Sequence, residues 1–430
     1  MAIKTRMCLR GNFTVLQIIK KTFIIAVVYV VVQTFIDYVC SREIVESLKE
    51  EPYLLLTNDT VTKYYEKRKH WETSVLGAAL FKNLPIERKQ ENRTFVVLVW
   101  KYWNWLKIRH LGGHSNDDPL DDCSVKNCIF TSDESQIDSV DSVLVHIQHG
   151  VFPQVPKRNT SQRWVFLSDE SPFNTFSMAH PKPSFSSLAN VFNWSMTYRS
   201  DSDVPVPYGR TVPLSHSPQG NLTSLSIPYW ESKQKDVPVA VLISNCGVTE
   251  RMNYIRELQR HIDVDIIGKC ASDKGKSCPG HFRADCPKIN NYQFYLAFEN
   301  TRCRQYFTEK VFFNAYAKGA IPIVMGPPIL DCEKLLPPQS FLHVDDFASP
   351  IDLAMKILEL SKNEEKLLSF HQWRHQFKVA NEHGYFGTKS YHLCRLCEAL
   401  NFNDKNNKEY DEDTLKLYLE PKLLCTKSNK

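Results

Sequence analysis

Short apolar runs bounded by polar or turn residues recur along the chain, each of a length that suits a buried strand. Residues 95–100, 143–147 and 164–167 come first, and each run ends at polar residues. Residues 181–187 are loop-like, and the alternating prolines of 204–207 argue against a central strand. Composition shifts at 224–236, which reads as a linker between two domains. From there strand and helix patterns alternate. Residues 237–243 predict a strand, and 249–261 an amphipathic helix with Met252, Ile255 and Leu258 along one face. Strands follow at 264–267 and 294–298, then a helix at 308–318 with Thr308 placed as its cap. A strand at 321–325 closes on Gly326-Pro327-Pro328, and helices are expected around 351–360 and 364–377. Alternating β and α elements predict an α/β chain built on parallel sheet. No repeat of 20–50 residues is present, and without Gly-x-Gly-x-x-Gly a dinucleotide oxidoreductase is disfavoured.

The N-terminal pattern differs. Lys4, Arg6, Arg10, Lys20 and Lys21 precede an uncharged stretch at 22–36 rich in Ile, Val and Phe. As a helix it spans roughly 22 Å, short of a bilayer core near ~30 Å, and continuation through Cys40 with snorkelling lysines closes the gap. Basic residues before the span place the N-terminus in the cytosol. A cleaved signal peptide and a buried core helix compete with this reading, but residues 35–39 offer no small-residue cleavage site. The expected plan is a cytosolic tail at 1–21 and a signal-anchor transmembrane helix at 22–40. A charged stem with little periodicity follows at 41–91, then a first domain at 92–230, a second at 231–400 and a C-terminal tail at 401–430. A homo-oligomer formed through stem or anchor is compatible with that plan.

Composition narrows the class. A length of 430 residues suits two domains, and 43% hydrophobic with 23% charged residues excludes widespread disorder. The net charge of +5 is dispersed, so there is no nucleic-acid footprint. Asn-x-Ser/Thr sequons stand at Asn12, Asn58, Asn92, Asn159, Asn193 and Asn221, and the last five follow the span, as in a glycosylated lumenal body. Cys123 and Cys128 lie five apart, and Cys394 and Cys397 form Cys-x-x-Cys. In an oxidising lumen these read as disulfides rather than a zinc site.

Candidate chemistry concentrates in residues 294–310. An apolar strand ends in Glu299-Asn300, a polar turn carrying Tyr306 follows, and Thr308-Glu309-Lys310 opens a helix-like stretch. A strand that leads into a helix N-terminus suits an anionic ligand. For a nucleotide-sugar donor, Lys310 supplies a cation for the diphosphate, Thr308 a hydroxyl donor, and Glu309 a carboxylate for ribose or sugar hydroxyls. The competing reading is a capped helix with a solvated lysine. Arg251, at a predicted helix N-terminus just after a strand, suits phosphate as well. At the mouth of the 164–167 strand stand Asp169 and Glu170, and an inverting transfer needs one base there. Chemistry alone does not choose between them. Asp201-Ser202-Asp203 could hold Mn²⁺ or Mg²⁺, but Lys310 and Arg251 already neutralise a diphosphate, so the triplet reads as a structural turn. No metal site is assigned and no cofactor is required, with Mn²⁺ or Mg²⁺ at most stimulatory.

These segments together resemble the α1,3-fucosyltransferases of glycosyltransferase family ten. Phe298, Glu299, Asn300, Tyr306, Thr308, Glu309 and Lys310 match the donor-binding signature of that family. Residues 314–316, 319–327 and 341–347 continue it; 244–258 and 164–172 are similar blocks, and 192–209 is nearly a hallmark. The resemblance implies a GT-B fold, two Rossmann-like domains with a cleft between them. It implies inverting transfer of L-fucose from GDP-β-L-fucose to the GlcNAc of a glycoprotein glycan, in the N-glycan core or a Lewis-type antenna. In that scheme Arg251 and Lys310 hold the diphosphate, Glu309 and Asn300 hold ribose or fucose hydroxyls, and Glu299 and Tyr306 complete the donor site. Tyr208 lines the cleft and Glu170, in its Glu-Ser-Pro context, is the base. The resemblance also implies Cys123 and Cys128 linked to Cys394 and Cys397, and a type II Golgi membrane protein with its body in the lumen. A transferase with another nucleotide-sugar donor, or a catalytically silent glycan-binding protein of the same fold, are the rival readings. The cysteine-bearing insertion at 272–285 and Cys303 inside the donor signature depart from the pattern. They leave the central disulfides open, with Cys246 to Cys286 as one pair the sequence allows.

Overall fold

Buried apolar runs pair in parallel when helices cover both faces of the sheet. This is the arrangement in the computed structural model, which describes residues 31–33, 56–101, 103–110, 118–154, 159–216, 227–280, 284–404 and 408–426. In the first half, β1 (Phe95–Val99), β2 (Cys128–Thr131), β3 (Ser142–His146), β4 (Arg163–Ser168), β5 (Trp194–Thr197) and β6 (Val204–Pro205) form a six-stranded sheet in the order β2-β1-β3-β4-β5-β6. After β7 (Gly209–Pro213), the strands β8 (Val239–Leu242), β9 (Val264–Ile267), β10 (Phe294–Phe298), β11 (Ile321–Met325) and β12 (Leu342–His343) make a second sheet, ordered β12-β11-β10-β8-β9. All pairs within both sheets are parallel, while β13 (Phe377–Asn381) and β7 form a separate antiparallel ribbon. Strand order reverses between β1 and β3 in the first sheet and between β8 and β10 in the second. Open α/β sheets bind ligands in the crevice at such reversals, beyond the carboxyl ends of the strands.

Several expected elements change. The prolines around Val204 do leave β6 as a two-residue edge strand. The helix expected over 364–377 stops at Ser369, and a 3₁₀ turn at Gln372–His375 leads into β13. Trp373 and Phe377 are spaced four apart as on one helix face, yet they pack on different partners, Tyr316 and Tyr64. The helix expected over 308–318 is a π-helical turn, Lys310–Ala315, followed by 3₁₀ at Tyr316–Lys318. Thr308 stands at its start, where its carbonyl accepts from the Val311 amide at 3.2 Å and its hydroxyl from the Lys310 amide at 3.5 Å, while the same hydroxyl donates to Glu299.

The stem reading of 41–91 is corrected over its described part. Helices run over Asn58–Lys69 and Val75–Lys82, with the Thr57 and Ser74 side chains accepting from the Thr60 and Gly77 amides. Tyr64, Trp71, Leu76 and Phe81 are buried, and the Arg68 guanidinium donates to the Phe81 carbonyl at 2.8 Å. At Gly77 a Cβ would lie 1.9 Å from the Ser200 carbonyl oxygen, so only glycine permits this docking. The charges that suggested a stem, Lys63, Glu66, Lys67 and Lys69, sit on the outer face of a packed helix.

The C-terminal boundary is corrected too. Helix His392–Phe402 belongs to the first sheet, where Leu393, Leu396 and Leu400 pack with Leu144, Val165 and Trp194. Beyond it, helix Glu412–Leu419 buries Leu415 and Leu419 against Phe166 and Phe192, and Pro421–Leu424 leads to Cys425. Residues 412–425 are thus packed structure rather than a tail. Cys123–Cys394 and Cys128–Cys397 are bonded, with Cα separations of 5.5 and 5.9 Å, and fix that helix to the first sheet. The pair Cys246–Cys286 does not form: Cys246 bonds Cys270, Cys286 bonds Cys278, and Cys303 bonds Cys425.

No helix among the described residues is long and apolar enough to cross a membrane, and nearly all of the span expected at 22–40 lies outside them. Asn12 and Asn221 also lie outside. Asn58, Asn92 and Asn159 are exposed. Asn193 is corrected as a glycan site: it is 3% exposed, accepts from the Trp164 amide at 2.8 Å and donates to the Gln162 carbonyl at 3.0 Å.

Peptide mapping after enzymatic deglycosylation should find carbohydrate on Asn58, Asn92 and Asn159 and none on Asn193; an occupied Asn193 refutes the burial argument. Leu76→Ala should cost about 2–5 kcal/mol in denaturant unfolding, as a fully packed leucine does, whereas a free stem would register a change near zero.

Candidate functional site

The second sheet opens at the carboxyl ends of β8, β9 and β10 into a cavity of about 220 Å³, whose polar lining includes Asn245, Arg251, Lys269, Asn300, Glu309 and Lys310. It sits beside the β8/β10 reversal, the place an open α/β sheet reserves for ligands. Four sequence-predicted residues therefore converge here: Arg251, Asn300, Glu309 and Lys310.

Lys310 is held from below. Its Nζ donates to Glu299 at 3.0 Å, to the Thr308 hydroxyl at 2.8 Å and to Glu309 at 3.3 Å. Burial works to lower its pKa, but the Glu299 and Glu309 carboxylates outweigh burial and hold it above the ordinary lysine value. The ammonium thus stays charged while its side chain keeps 17% exposure toward the cavity. Glu299 has no exposed side-chain surface and also accepts from the Thr308 amide at 2.9 Å. Its expected contact with a donor is corrected to an orienting role under the lysine. Gly326, at φ +146°, lets β11 pass beneath it, where a Cβ would meet Glu299 Cβ at 2.8 Å. Arg251 donates to the Phe298 carbonyl at 3.1 Å and the Asn245 carbonyl at 2.7 Å, which ties the tips of β8 and β10 to its helix.

The other half of the site stands at the end of β4. Glu170 Oε2 accepts from the Tyr306 hydroxyl at 3.0 Å, so the strand mouth of the first sheet touches the turn that leads into Lys310. Burial and the neighbouring Asp169 charge raise the Glu170 pKa, against the opposing pull of Arg109, Tyr306 and Lys310. A raised carboxyl is the stronger base. Burial would raise Asp169 as well, but Arg109, 3.3 Å away, holds it well below the usual carboxylate range. Asp169 is also only 1% exposed, so the structure separates the two carboxylates by depth: Glu170 keeps partial exposure and Asp169 is buried beside it.

Two other expectations move. Tyr306 is 2% exposed and serves Glu170 rather than the cavity. Tyr208 does not line the cavity: its ring stacks on His383 at 3.6 Å and its hydroxyl donates to the Asp169 carbonyl at 3.2 Å. Asp201 pairs with Arg199, while Asp203 accepts from the Ser195 amide at 2.9 Å and pairs with Lys408 and Tyr410. Both carboxylates are engaged inside the protein, in different networks, as a structural turn requires. Sequence reasoning missed Arg109, Lys269, Asn314 and the histidines around Asp169. Asn314 stands four residues after Lys310, and the wide π turn brings both to the cavity. The others lie in unrelated segments and share no motif.

Comparison with known proteins agrees with this geometry in two blocks. Residues 92–209 match the family profile described as "Fucosyltransferase, N-terminal", and residues 230–414 match "Glycosyltransferase family 10 (fucosyltransferase) C-term". Among curated proteins, the chain is 36% identical over 280 residues to 4-galactosyl-N-acetylglucosaminide 3-alpha-L-fucosyltransferase FUT6 of Pan troglodytes, covering 64% of this chain and 71% of the relative. It is 32% identical over 306 residues to alpha-(1,3)-fucosyltransferase 7 of Rattus norvegicus, covering 70% and 75%. Among solved structures, an alpha1,3-fucosyltransferase crystallised with GDP-fucose aligns with a TM-score of 0.47 at 16% identity, over 79% of this chain and 99% of that one.

Lys310→Met should weaken GDP binding about 10- to 100-fold in titration calorimetry, the range set by losing one charge-assisted contact; unchanged affinity would place the anion site elsewhere.

Proposed function

Because the chain belongs to glycosyltransferase family 10, the fucosyltransferases, we propose that it transfers L-fucose from GDP-β-L-fucose to a GlcNAc hydroxyl of a glycoprotein glycan, in α1,3 linkage and with inversion. The single observation that carries the mechanism is the 3.0 Å hydrogen bond from Tyr306 to Glu170. It supports reading Glu170 as a base at the mouth of one sheet, set against the turn that carries Lys310 on the other.

In this scheme Glu170 takes the proton of the acceptor hydroxyl as its oxygen attacks the anomeric carbon of fucose. The bond from that carbon to the diphosphate breaks, and GDP leaves from the opposite face. Lys310 and Arg251 neutralise the charge that develops on the diphosphate. Asn300 and Glu309 line the same cavity and meet ribose or fucose hydroxyls. Glu299 fixes the direction of Lys310 and does not touch the donor. Lys310 and Arg251, with Lys269 beside them in the cavity lining, make a divalent ion unnecessary for the diphosphate, so Mn²⁺ or Mg²⁺ acts at most as a stimulant. The architecture is assigned to the GT-B class, two Rossmann-like domains around the cleft.

The proposed setting is the Golgi lumen, with the protein held as a single-pass type II membrane protein by residues 22–40. Among the described residues, five disulfides and three exposed sequons support an oxidising, glycosylating compartment. Core and antennal GlcNAc both stand as acceptors, and linkage analysis of the product separates them.

Radiolabelled GDP-fucose incubated with a glycan panel should yield a fucosylated product. Glu170→Gln should lower kcat by roughly 10²–10⁴ while GDP still binds. A wild-type protein that releases no GDP and labels no glycan across the panel would overturn the proposal.

A further inference from the structure

The proposed transfer counts Lys269 among the charges of the donor cavity but gives it no contact of its own. It stands in the turn after β9, between Gly268 and Cys270, and its side chain is exposed. In the second sheet β8 lies between β10 and β9. The segments that follow β10 and β9 therefore flank the tip of β8, and each brings a lysine to the cavity lining, Lys310 from one and Lys269 from the other.

The backbone fixes this turn. Gly268 has φ +96°, and a Cβ there would lie 2.8 Å from the Ile243 carbonyl oxygen, so glycine is required. The Cys270 amide donates to that same carbonyl at 3.1 Å, and the Cys246–Cys270 disulfide ties the turn to the segment after β8. The Gly268 amide donates to the Lys276 carbonyl at 2.9 Å, which joins the turn to the cysteine-bearing insertion. Cys278, Pro279 and Gly280 of that insertion line the same cavity. A solvated surface lysine needs neither a pinned turn nor a place in a cavity wall.

Charge indicates what Lys269 does there. The three protons of the Lys310 ammonium are met by Glu299, Thr308 and Glu309. Arg251 spends two of its nitrogens on the Phe298 and Asn245 carbonyls. Two cations against two carboxylates leave these residues without net charge, whereas the diphosphate of a nucleotide sugar is a dianion. Neighbouring lysines are committed elsewhere: Lys276 pairs with Asp265 at 2.5 Å, and Lys288 donates to the Ser277 carbonyl at 3.1 Å. The Lys269 ammonium has no ion pair or hydrogen bond among the described residues. It supplies the uncompensated positive charge, with its protons open to a ligand.

We propose that Lys269 binds the diphosphate of the nucleotide-sugar donor directly and carries the net positive charge of that site. Its ammonium donates to a phosphate oxygen from the β9 side, while Arg251 and Lys310 act from the β8 and β10 sides. The bond lasts as GDP departs, so it serves both donor binding and the leaving group. This inference rests on reading the cavity as the donor site.

Titration calorimetry of GDP against wild type, Lys269→Met and Lys269→Arg, over a series of salt concentrations, tests it. Lys269→Met should bind GDP about 10- to 100-fold more weakly, and the salt dependence of its affinity should be flatter than that of wild type. Its thermal midpoint should not move, because Lys269 holds no other residue in place. Lys269→Arg, which keeps the charge, should recover most of the lost affinity. A Lys269→Met protein that binds GDP as wild type does, or whose loss is the same at every salt concentration, overturns the inference and leaves the donor site standing. A wild-type protein that binds no GDP overturns the donor reading, and the inference with it.

Discussion

The hydrogen bond between Tyr306 and Glu170 is the point on which the site depends. Each lobe presents its chemistry at the carboxyl edge of a parallel sheet, because strand-to-helix turns there leave polar groups free to face a ligand. Neither edge is a site for group transfer by itself. The proposed base, Glu170, belongs to the first sheet and the cations to the second, and Tyr306 lies in the turn that joins β10 to Lys310. A hydroxyl that donates to the base from the donor side fixes the separation of the two half-sites within one bond length.

Around that bond the structure sorts charges by depth. Glu299 is sealed beneath Lys310 and Asp169 behind Glu170, so in both half-sites a buried carboxylate supports the group that meets the ligand. The two supports act differently. Glu299 keeps Lys310 charged and aimed, whereas Asp169 adds negative charge beside Glu170 and raises its basicity. Both depend on close packing. Gly326 makes room for Glu299, and Arg109 with the surrounding histidines surrounds Asp169.

The chain returns to its first lobe at the end, and this gives the site its frame. Two disulfides hold helix His392–Phe402 on the first sheet, and Cys303–Cys425 ties the last described helix to the donor turn. The helices over 58–82 close the other flank, where Ser200 accepts from the Ser74 amide and its own amide donates to Gln305, the residue before Tyr306. Segments that read as stem and tail are therefore part of what positions the turn that carries Tyr306.

Strand-forming runs, parallel alternation and the donor signature were legible in the sequence, because apolar periodicity and residues adjacent in the chain are local properties. Residues 294–310 alone located Asn300, Glu309 and Lys310 at the cavity, and 164–172 narrowed the base to two neighbours. Local pattern could not say which of Asp169 and Glu170 faces outward, since both follow the same strand and differ only in what packs on them. It could not place Glu299 or Tyr208, whose chemistry suits a ligand but whose burial forbids one. Nor could it see the histidine cluster, because His110 lies 59 residues before Asp169 and His383 and His392 more than two hundred after it. The sequence by itself determined the sheets, the anion-binding turn and the family. Depth, charge pairing and the company each side chain keeps were decided by tertiary packing, since these depend on contacts between residues that share no local pattern.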